Sequence, residues 1–173
     1  MARAAPRSRD GDPAARFETL YRLCYEDLLR YALRRTGRPE IAADVVADTF
    51  LVAWRRLADI PAEQPRAWLF GVARNVLANQ YRAERRGVDL AARLRTELSD
   101  ATVVQPDAPA EVSAAFRTLS ETDQELLRLV AWEGLSAAEL SQALGCSANA
   151  ARIRLHRARQ RFAEALRELT PAI

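Results

Sequence analysis

The sequence predicts an all-α protein made of two small helical domains joined by a flexible linker. Apolar residues recur every three or four positions along most of the chain, and no segment alternates as a half-buried strand would. Residues 88–110 differ, because they carry four acids against two arginines and end in a stretch with Pro106 and Pro109. We therefore expect a disordered tail at 1–16, a first domain at 17–86, the linker at 87–110 and a second domain at 111–169.

The first block contains three predicted helices. Helical apolar spacing runs from Phe17 to Gly37, where a glycine followed closely by a proline breaks the pattern. Pro39 and Pro65 suit the first turn of a helix, where the missing N–H of proline costs nothing. The helices are expected over about residues 17–36, 39–57 and 65–86.

The second block contains four predicted helices, and the last two form a helix-turn-helix. Ser120 is the expected N-cap of the second helix. Ser136 and Glu139, three positions apart, fit a capping box at the start of the third. Gly145 supplies the turn, and Ser147 is a good N-cap for the last helix.

The last helix combines an apolar stripe with a strongly basic surface. No acid occurs between Gly145 and Ala163, and residues 140–169 hold six arginines against two acids, whereas residues 111–139 hold six acids against two arginines. A helix-turn-helix with a basic second helix is suited to the DNA major groove. The alternative is an ordinary amphipathic hairpin with a solvated basic face. The arginines in question are Arg152, Arg154, Arg157, Arg159 and Arg161.

The composition excludes several classes of protein. The net charge is only +3 over 173 residues, and all 26 basic residues are arginine. Cys24 and Cys146 form no CxxC pair, and His156 is the only histidine. These three residues are too few ligands for a structural zinc site, so no metal or cofactor is expected. Both cysteines are expected to be reduced and mostly buried. Neither a signal peptide nor a membrane span is evident, so we expect a cytoplasmic protein without membrane insertion.

Three motifs in this order resemble bacterial RNA polymerase sigma factors of the extracytoplasmic-function (ECF) group. DVVADTF at 44–50, followed by AWR at 53–55, is similar to the core-polymerase-binding helix of that family. RAWLFGVARN at 66–75 is similar to the helix that meets the minus-10 promoter element, and LHRAR at 155–159 is similar to the minus-35 reader. The resemblance covers about residues 17–169 and implies region 2-like and region 4-like helical domains.

For the second predicted helix, the resemblance implies contacts with core polymerase. Carboxylates four positions apart share one helix face and can pair with basic side chains, while aromatic residues can anchor a partner. Burial of one of the two aromatic residues in the core is the alternative to a contact. Ala47 replaces the glutamine that is frequent in the family. The implied contact residues are Asp44, Asp48, Phe50, Trp54 and Arg55.

For the third predicted helix, the resemblance implies binding of the minus-10 element. Unpaired promoter bases would be captured in a pocket, with the loop at 59–64 forming its rim. For Trp68, packing in the core is the alternative to a DNA contact. The implied residues are Arg66, Trp68, Arg74, Asn75, Asn79, Arg82, Arg85 and Arg86.

For the last helix, the resemblance implies minus-35 recognition. Asn149 can pair with an adenine, and Arg152 or Arg154 with a guanine, each contact giving roughly 1–3 kcal/mol of discrimination. Asn149-Ala150-Ala151 stands where many relatives carry G-T-V, so the promoter sequence read is left open. The implied residues are Ser147, Asn149, Ala150, Arg152, Arg154, Arg157 and Arg159.

The resemblance implies core RNA polymerase, promoter DNA and an anti-sigma factor as partners. A sigma factor would direct polymerase to promoters without making or breaking a covalent bond. The alternative is a stand-alone helix-turn-helix regulator that binds an operator as a dimer. An enzyme is disfavoured, because the sequence has no Ser/His/Asp set and no phosphate-binding glycine loop.

Overall fold

A computed structural model describes residues 12–92 and 108–169, and within them the chain forms seven α-helices and no strand. The prediction of an all-α fold is confirmed. A single turn of 3₁₀ helix at Leu57–Asp59 follows the second helix. The helices are α1 (Pro13–Thr36), α2 (Pro39–Arg55), α3 (Pro65–Ala92), α4 (Ala110–Thr118), α5 (Glu121–Ala131), α6 (Ala137–Leu144) and α7 (Ala148–Leu169).

The first helix begins earlier than its apolar spacing predicts. The side chain of Asp12 accepts a hydrogen bond from the amide of Ala14 at 3.0 Å, and Pro13 occupies the first helical position. This cap starts α1 four residues before Phe17, so assigning residues 13–16 to a disordered tail is wrong. The helix ends as predicted at Gly37, which adopts φ 61°.

The third helix extends beyond its predicted end. The backbone stays helical through Gly87 to Ala92, so the prediction that residues 87–92 belong to a flexible linker is wrong. A glycine inside a helix costs only about 1 kcal/mol and does not by itself end the helix. The remainder of the predicted linker up to residue 107, and the predicted tail up to residue 11, lie outside the described residues.

Each half of the chain has an apolar core built from the predicted helix stripes. In the first half, α1, α2 and α3 pack together around side chains that are fully or almost fully buried. In the second half, α7 packs against α4, α5 and α6. The central residues are Leu28, Tyr31, Val45, Leu69 and Phe70 in the first half, and Leu126, Leu129, Leu140, Ala151 and Leu155 in the second.

The two halves are also in direct contact. Helix α3 lies along α6, and the end of α1 meets α5 and the residues that follow it. None of the helices in residues 12–92 and 108–169 is both long and apolar enough to cross a membrane.

Candidate nucleic-acid and partner interfaces

The turn that positions α7 is held by local hydrogen bonds. Ser136 Oγ accepts from the Glu139 amide at 3.3 Å, and a Glu139 carboxylate oxygen accepts from the Ser136 amide at 2.9 Å, so the predicted capping box is confirmed. The bond from the Ser136 amide also lowers the pKa of Glu139. Gly145 ends α6 at φ 61°, and the Ser147 hydroxyl then accepts from the amide of Ala150 at 3.2 Å.

Burial of one side of α7 leaves the basic side in solvent. Ala151, Leu155 and Ala158 are buried against the domain core, as their spacing predicts. The arginines of the helix lie on the exposed side. Arg161 forms an ion pair with Asp123 at 2.7 Å. Within the part of the chain that the structure describes, the other candidate arginines of α7 are exposed and form no ion pair; they are Arg152, Arg154, Arg157 and Arg159.

The outermost line of α7 includes a residue that sequence reasoning missed. Asn149, Ile153 and Arg157 follow one another at intervals of four, so they lie on one side of the helix. All three are exposed, and Ile153 is 43% exposed although it is aliphatic. An exposed isoleucine between basic residues is suited to contact a thymine methyl group. The sequence did contain a signal for the exposure of Ile153, because this residue lies on the side of the helix opposite the stripe of Ala151 and Leu155.

Two of the predicted minus-35 residues bind each other. The guanidinium of Arg152 donates to the side-chain oxygen of Asn149 at 2.7 Å, and both residues are exposed. Ala150 is half-buried, and the Ser147 hydroxyl already accepts from a backbone amide. The polar groups on this first turn are therefore partly engaged within the helix itself.

Helix α2 carries an exposed acidic and aromatic surface, here called the α2 face. Helical geometry puts its members within one third of the helix circumference. Trp54 is 48% exposed, and its ring meets that of Phe17 edge-on at a centroid distance of 5.1 Å. Leu51, which the sequence analysis did not select, is exposed beside it. The α2 face consists of Asp44, Asp48, Leu51, Trp54 and Arg55, all exposed.

Phe50 does not belong to the α2 face. It is only 4% exposed and packs against Phe17 and Tyr21, with centroids at 6.0 and 4.7 Å. The expectation that Phe50 contacts a partner is therefore corrected, and of the two aromatic candidates Phe50 is the core residue. A helix of this kind must bury one side, and Phe50 is on that side together with Val46 and Ala53.

The exposed side of α3 carries only part of the predicted minus-10 set. Asn75, Asn79 and Arg82 are exposed, and Arg82 donates to the side-chain oxygen of Asn79 at 2.7 Å. Trp68 is 8% exposed and belongs to the core, and the guanidinium of Arg56 lies over its ring at 5.6 Å. The expectation that the Trp68 ring contacts DNA is therefore corrected: the ring packs in the core. The side chains of Arg85 and Arg86 lie outside the described residues.

Two arginines of that set turn towards the protein. Arg66 donates from Nε to Asp27 and from its terminal nitrogen to the carbonyl of Glu133, both at 2.6 Å. Burial on its own raises the pKa of Asp27, but hydrogen bonds from Arg66 and Arg30 outweigh it and the pKa is lowered. Arg74 is half-buried, and its Nε has no hydrogen-bond partner. In this structure the guanidinium of Arg66 is bound to acceptors of the protein itself, and a DNA contact by Arg66 stays a prediction.

The loop before α3 is anchored at both ends. Arg56 forms an ion pair with Asp59 at 2.9 Å, and Arg16 donates to the carbonyl of Ile60 at 2.8 Å. Ala62 and Glu63 at its tip are exposed. The anchored loop projects next to the start of α3, where the sequence analysis expects a rim for captured bases.

Both cysteines are free thiols, and their degree of burial is close to the prediction. Cys24 is buried and Cys146 is half-buried. Burial, together with nearby Asp27, raises the pKa of the Cys24 thiol. Within residues 12–92 and 108–169, no group of three or more His, Cys, Asp or Glu residues could hold a metal ion.

The fold and the basic recognition helix define a DNA-binding protein of the helix-turn-helix class. Comparison with known proteins narrows the class further. Residues 20–87 match the model of sigma-70 region 2, and residues 110–162 match that of sigma-70 region 4. The chain belongs to the sigma-70 family of RNA polymerase sigma factors, in its ECF group.

Individual relatives agree with this membership along almost the whole chain. The chain is similar to the ECF sigma factor SigL of Mycobacterium tuberculosis, with 31% identity covering 94% of this chain and 97% of the relative. It is 31% identical to the sigma factor YlaC of Bacillus subtilis, covering 82% and 87%. The solved complex of sigma factor RpoE with anti-sigma factor NepR from Bartonella quintana contains a chain of similar structure, with TM-score 0.62, 25% identity and coverage of 87% and 96%.

Family membership gives the chain its general function. It acts in promoter-directed initiation of transcription, and the alternative of a stand-alone dimeric regulator is not favoured. Sigma factors are regulatory subunits.

Proposed function

We propose that the chain is a dissociable subunit that binds core RNA polymerase through the α2 face and reads promoters through α3 and α7. One observation carries the proposal. In the folded chain, α2 exposes the acidic and aromatic side chains of the first motif, and α7 exposes the basic side chains of the third motif. The subunit itself makes and breaks no covalent bond, so the polymerase supplies the chemistry.

The α2 face suits a basic partner with an apolar groove. Asp44 and Asp48 project from the same side of the helix and provide two negative charges that steer and orient a cationic surface. Trp54 and Leu51 add exposed apolar area beside them. Tryptophan is among the residues that most often dominate the binding energy of an interface.

Helix α3 and the preceding loop suit a melted minus-10 element. Asn75, Asn79 and Arg82 offer donors and acceptors on the exposed side of the helix. The anchored loop, with Glu63 at its tip, would form the rim of a pocket for an unpaired base. Trp68, in the first turn of α3, belongs to the core and helps to fix the start of the helix.

Helix α7 suits the minus-35 major groove. Arg154, Arg157 and Arg159 are exposed without ion pairs among the described residues, so they can contact phosphates and release counterions. Asn149 and Ile153 lie on the same side and can reach base edges. Arg152 would contact a base either after its hydrogen bond to Asn149 breaks or as a pair with Asn149.

An anti-sigma factor is part of the proposal. The similar chain from Bartonella quintana was solved in complex with an anti-sigma factor, which supports such a partner for this protein. The proposed site of action is the cytoplasm, where core polymerase and promoter DNA are present.

Transcription by purified core polymerase, with and without this protein, tests the proposal. We expect initiation from a cognate promoter only when the protein is present. Asp48→Arg should lower core affinity at least tenfold, because it places a like charge against a basic partner. Glu111→Arg, at an exposed position on α4, serves as the charge-reversal control. If the chain neither binds core nor supports initiation, but binds duplex DNA as a dimer, the dimeric regulator is the correct function.

A further inference from the structure

The exposed side of α7 consists of a central row of residues with arginines on both flanks. Since successive residues of a helix are about 100° apart, Asn149 and Arg157 lie within about 40° of Ile153 on the helix circumference. All three side chains are exposed. The flanking rows, at roughly 100–120° from Ile153, are exposed as well. Their arginines are Arg152 and Arg159 on one flank and Arg154 on the other.

This arrangement fits the major groove of DNA, which has phosphates along both edges and base edges at its floor. Guanidinium groups on both flanks of α7 can bind the phosphates of the two strands. The sequence has no acid from Gly145 to Ala163 that would repel them. With the flanks on the phosphates, the central row faces the bases. Ile153 lies about 6 Å further along the helix than Asn149, so the two side chains meet different base pairs.

The fold itself gains little from an isoleucine at position 153. The residue is 43% exposed and lies opposite the buried Ala151 and Leu155. Isoleucine is also a weaker helix former than the alanines and arginines around it. Its β-branched side chain has one strongly preferred χ1 rotamer in a helix, so its methyl groups keep a fixed direction and lose little entropy in a contact. Such a stiff apolar group is suited to an apolar target at a defined place.

The apolar feature among the base edges of the major groove is the methyl group on C5 of thymine. The base 5-methylcytosine carries the same group at the same ring position, whereas uracil and cytosine carry hydrogen there. An aliphatic side chain contacts the methyl group and makes no hydrogen bond to the O4 or N4 atom beside it. It therefore accepts a methylated pyrimidine of either kind.

We propose that Ile153 is a specificity-determining residue that contacts the C5-methyl group of a pyrimidine in the minus-35 element, carried by thymine or by 5-methylcytosine. Methylation of a cytosine at that position then strengthens promoter binding and raises initiation. The place of this contact in the minus-35 element rests on the proposed function, whereas the preference of Ile153 for a C5-methyl group in duplex DNA does not.

Binding of the full chain to modified duplexes tests the contact. Duplexes that the chain prefers are selected from a randomised pool, and affinities are measured by fluorescence anisotropy. Each pyrimidine position then carries thymine, uracil, cytosine and 5-methylcytosine in turn. At one position the parent should bind thymine about fourfold more tightly than uracil, and 5-methylcytosine about fourfold more tightly than cytosine, which is the factor expected for covering one methyl group. The partner purine is the same within each pair of duplexes, so each ratio isolates the methyl group.

Variants of Ile153 assign the methyl preference to this side chain. Ile153→Gln should bring both ratios to about one, whereas Ile153→Val should retain them, because it keeps a β-branched apolar group. Leu169→Gln, at an exposed apolar position at the end of α7, is the control and should also retain them. Thermal melts should show that all three variants fold.

Equal methyl ratios in the parent and Ile153→Gln, or ratios of one at every position in the parent, overturn the proposed role of Ile153. Loss of core affinity in Ile153→Gln with unchanged methyl ratios overturns it too, and would assign the exposed isoleucine to a protein interface.

Transcription by core polymerase with this chain tests the consequence. At limiting protein, a template with 5-methylcytosine at the contacted position should give about fourfold more initiation than the unmethylated template, and Ile153→Gln should remove the difference. Equal initiation by the parent from both templates overturns the effect of methylation on initiation. If the parent neither binds core nor supports initiation, the proposed function is contradicted, and the anisotropy ratios still decide the role of Ile153.

Discussion

Replacing Trp54 by alanine removes the largest apolar group from the α2 face. The side chain is 48% exposed, and its buried part rests on Phe17. A tryptophan side chain offers roughly 250 Å², so about 120 Å² is available to a partner. At about 25 cal/mol per Å², covering that area stabilises the complex by up to about 3 kcal/mol, or roughly a hundredfold in Kd.

Titration of labelled protein with core polymerase by fluorescence anisotropy measures the effect. We expect Trp54→Ala to bind core between about thirtyfold and a hundredfold more weakly, and a thermal melt should show that the domain still folds, at a cost of about 2 kcal/mol for the lost packing. Leu169→Ala is the matched control, since it truncates another exposed apolar side chain at the end of α7. Affinity within threefold of the parent would remove Trp54 from the interface and refute the assignment of the α2 face.

Three other predictions concern the second domain. Replacing Arg154 and Arg157 by alanine should lower the slope of log affinity against log salt for promoter DNA by about 2, with core affinity unchanged; an unchanged slope would show that neither contacts a phosphate. Leu140→Ala, at a fully buried position, should destabilise the domain by about 2–5 kcal/mol in urea denaturation, and a loss below 1 kcal/mol would contradict its place in the core. Because the folded-state pKa of Glu139 is lowered, its ionised form stabilises the fold above about pH 5, and this contribution is lost as pH falls through the folded pKa. Urea denaturation should thus separate Glu139→Gln from the parent at pH 7, and the difference should shrink as the pH falls through the folded-state pKa; a constant difference would contradict the linkage.

Helix caps and turns were predictable from the sequence because their chemistry is local. Ser120, Ser136 and Ser147 each cap a helix by accepting from the amide three residues on, and Gly37 and Gly145 end the helices α1 and α6. A window of a few residues contains all the atoms involved.

The state of individual side chains was harder to predict, because it depends on distant partners. The sequence motif predicts a DNA contact for Arg66, but the acceptors that Arg66 has in this structure lie 39 and 67 positions away in the sequence. Periodicity could not decide which of Phe50 and Trp54 faces solvent, since only packing against α1 buries Phe50. Ile153 was missed for the opposite reason, because aliphatic residues are normally assigned to the core.

Composition gives a misleading prediction of where the first helix begins. The segment before Phe17 is rich in alanine, arginine and proline and lacks apolar spacing, yet Asp12 and Pro13 start a helix there. Apolar spacing detects a buried stripe and cannot detect a helical turn that extends into solvent.

Under the proposed minus-35 role of α7, the hydrogen bond between Arg152 and Asn149 couples two side chains that would read bases. If either side chain turns to a base, the other loses its partner and must find a new one in the groove or in water. The preferred bases at the two neighbouring contact positions then depend on each other. A table of independent base scores would misrank minus-35 elements for this protein, and pairs of base changes would show non-additive free energies.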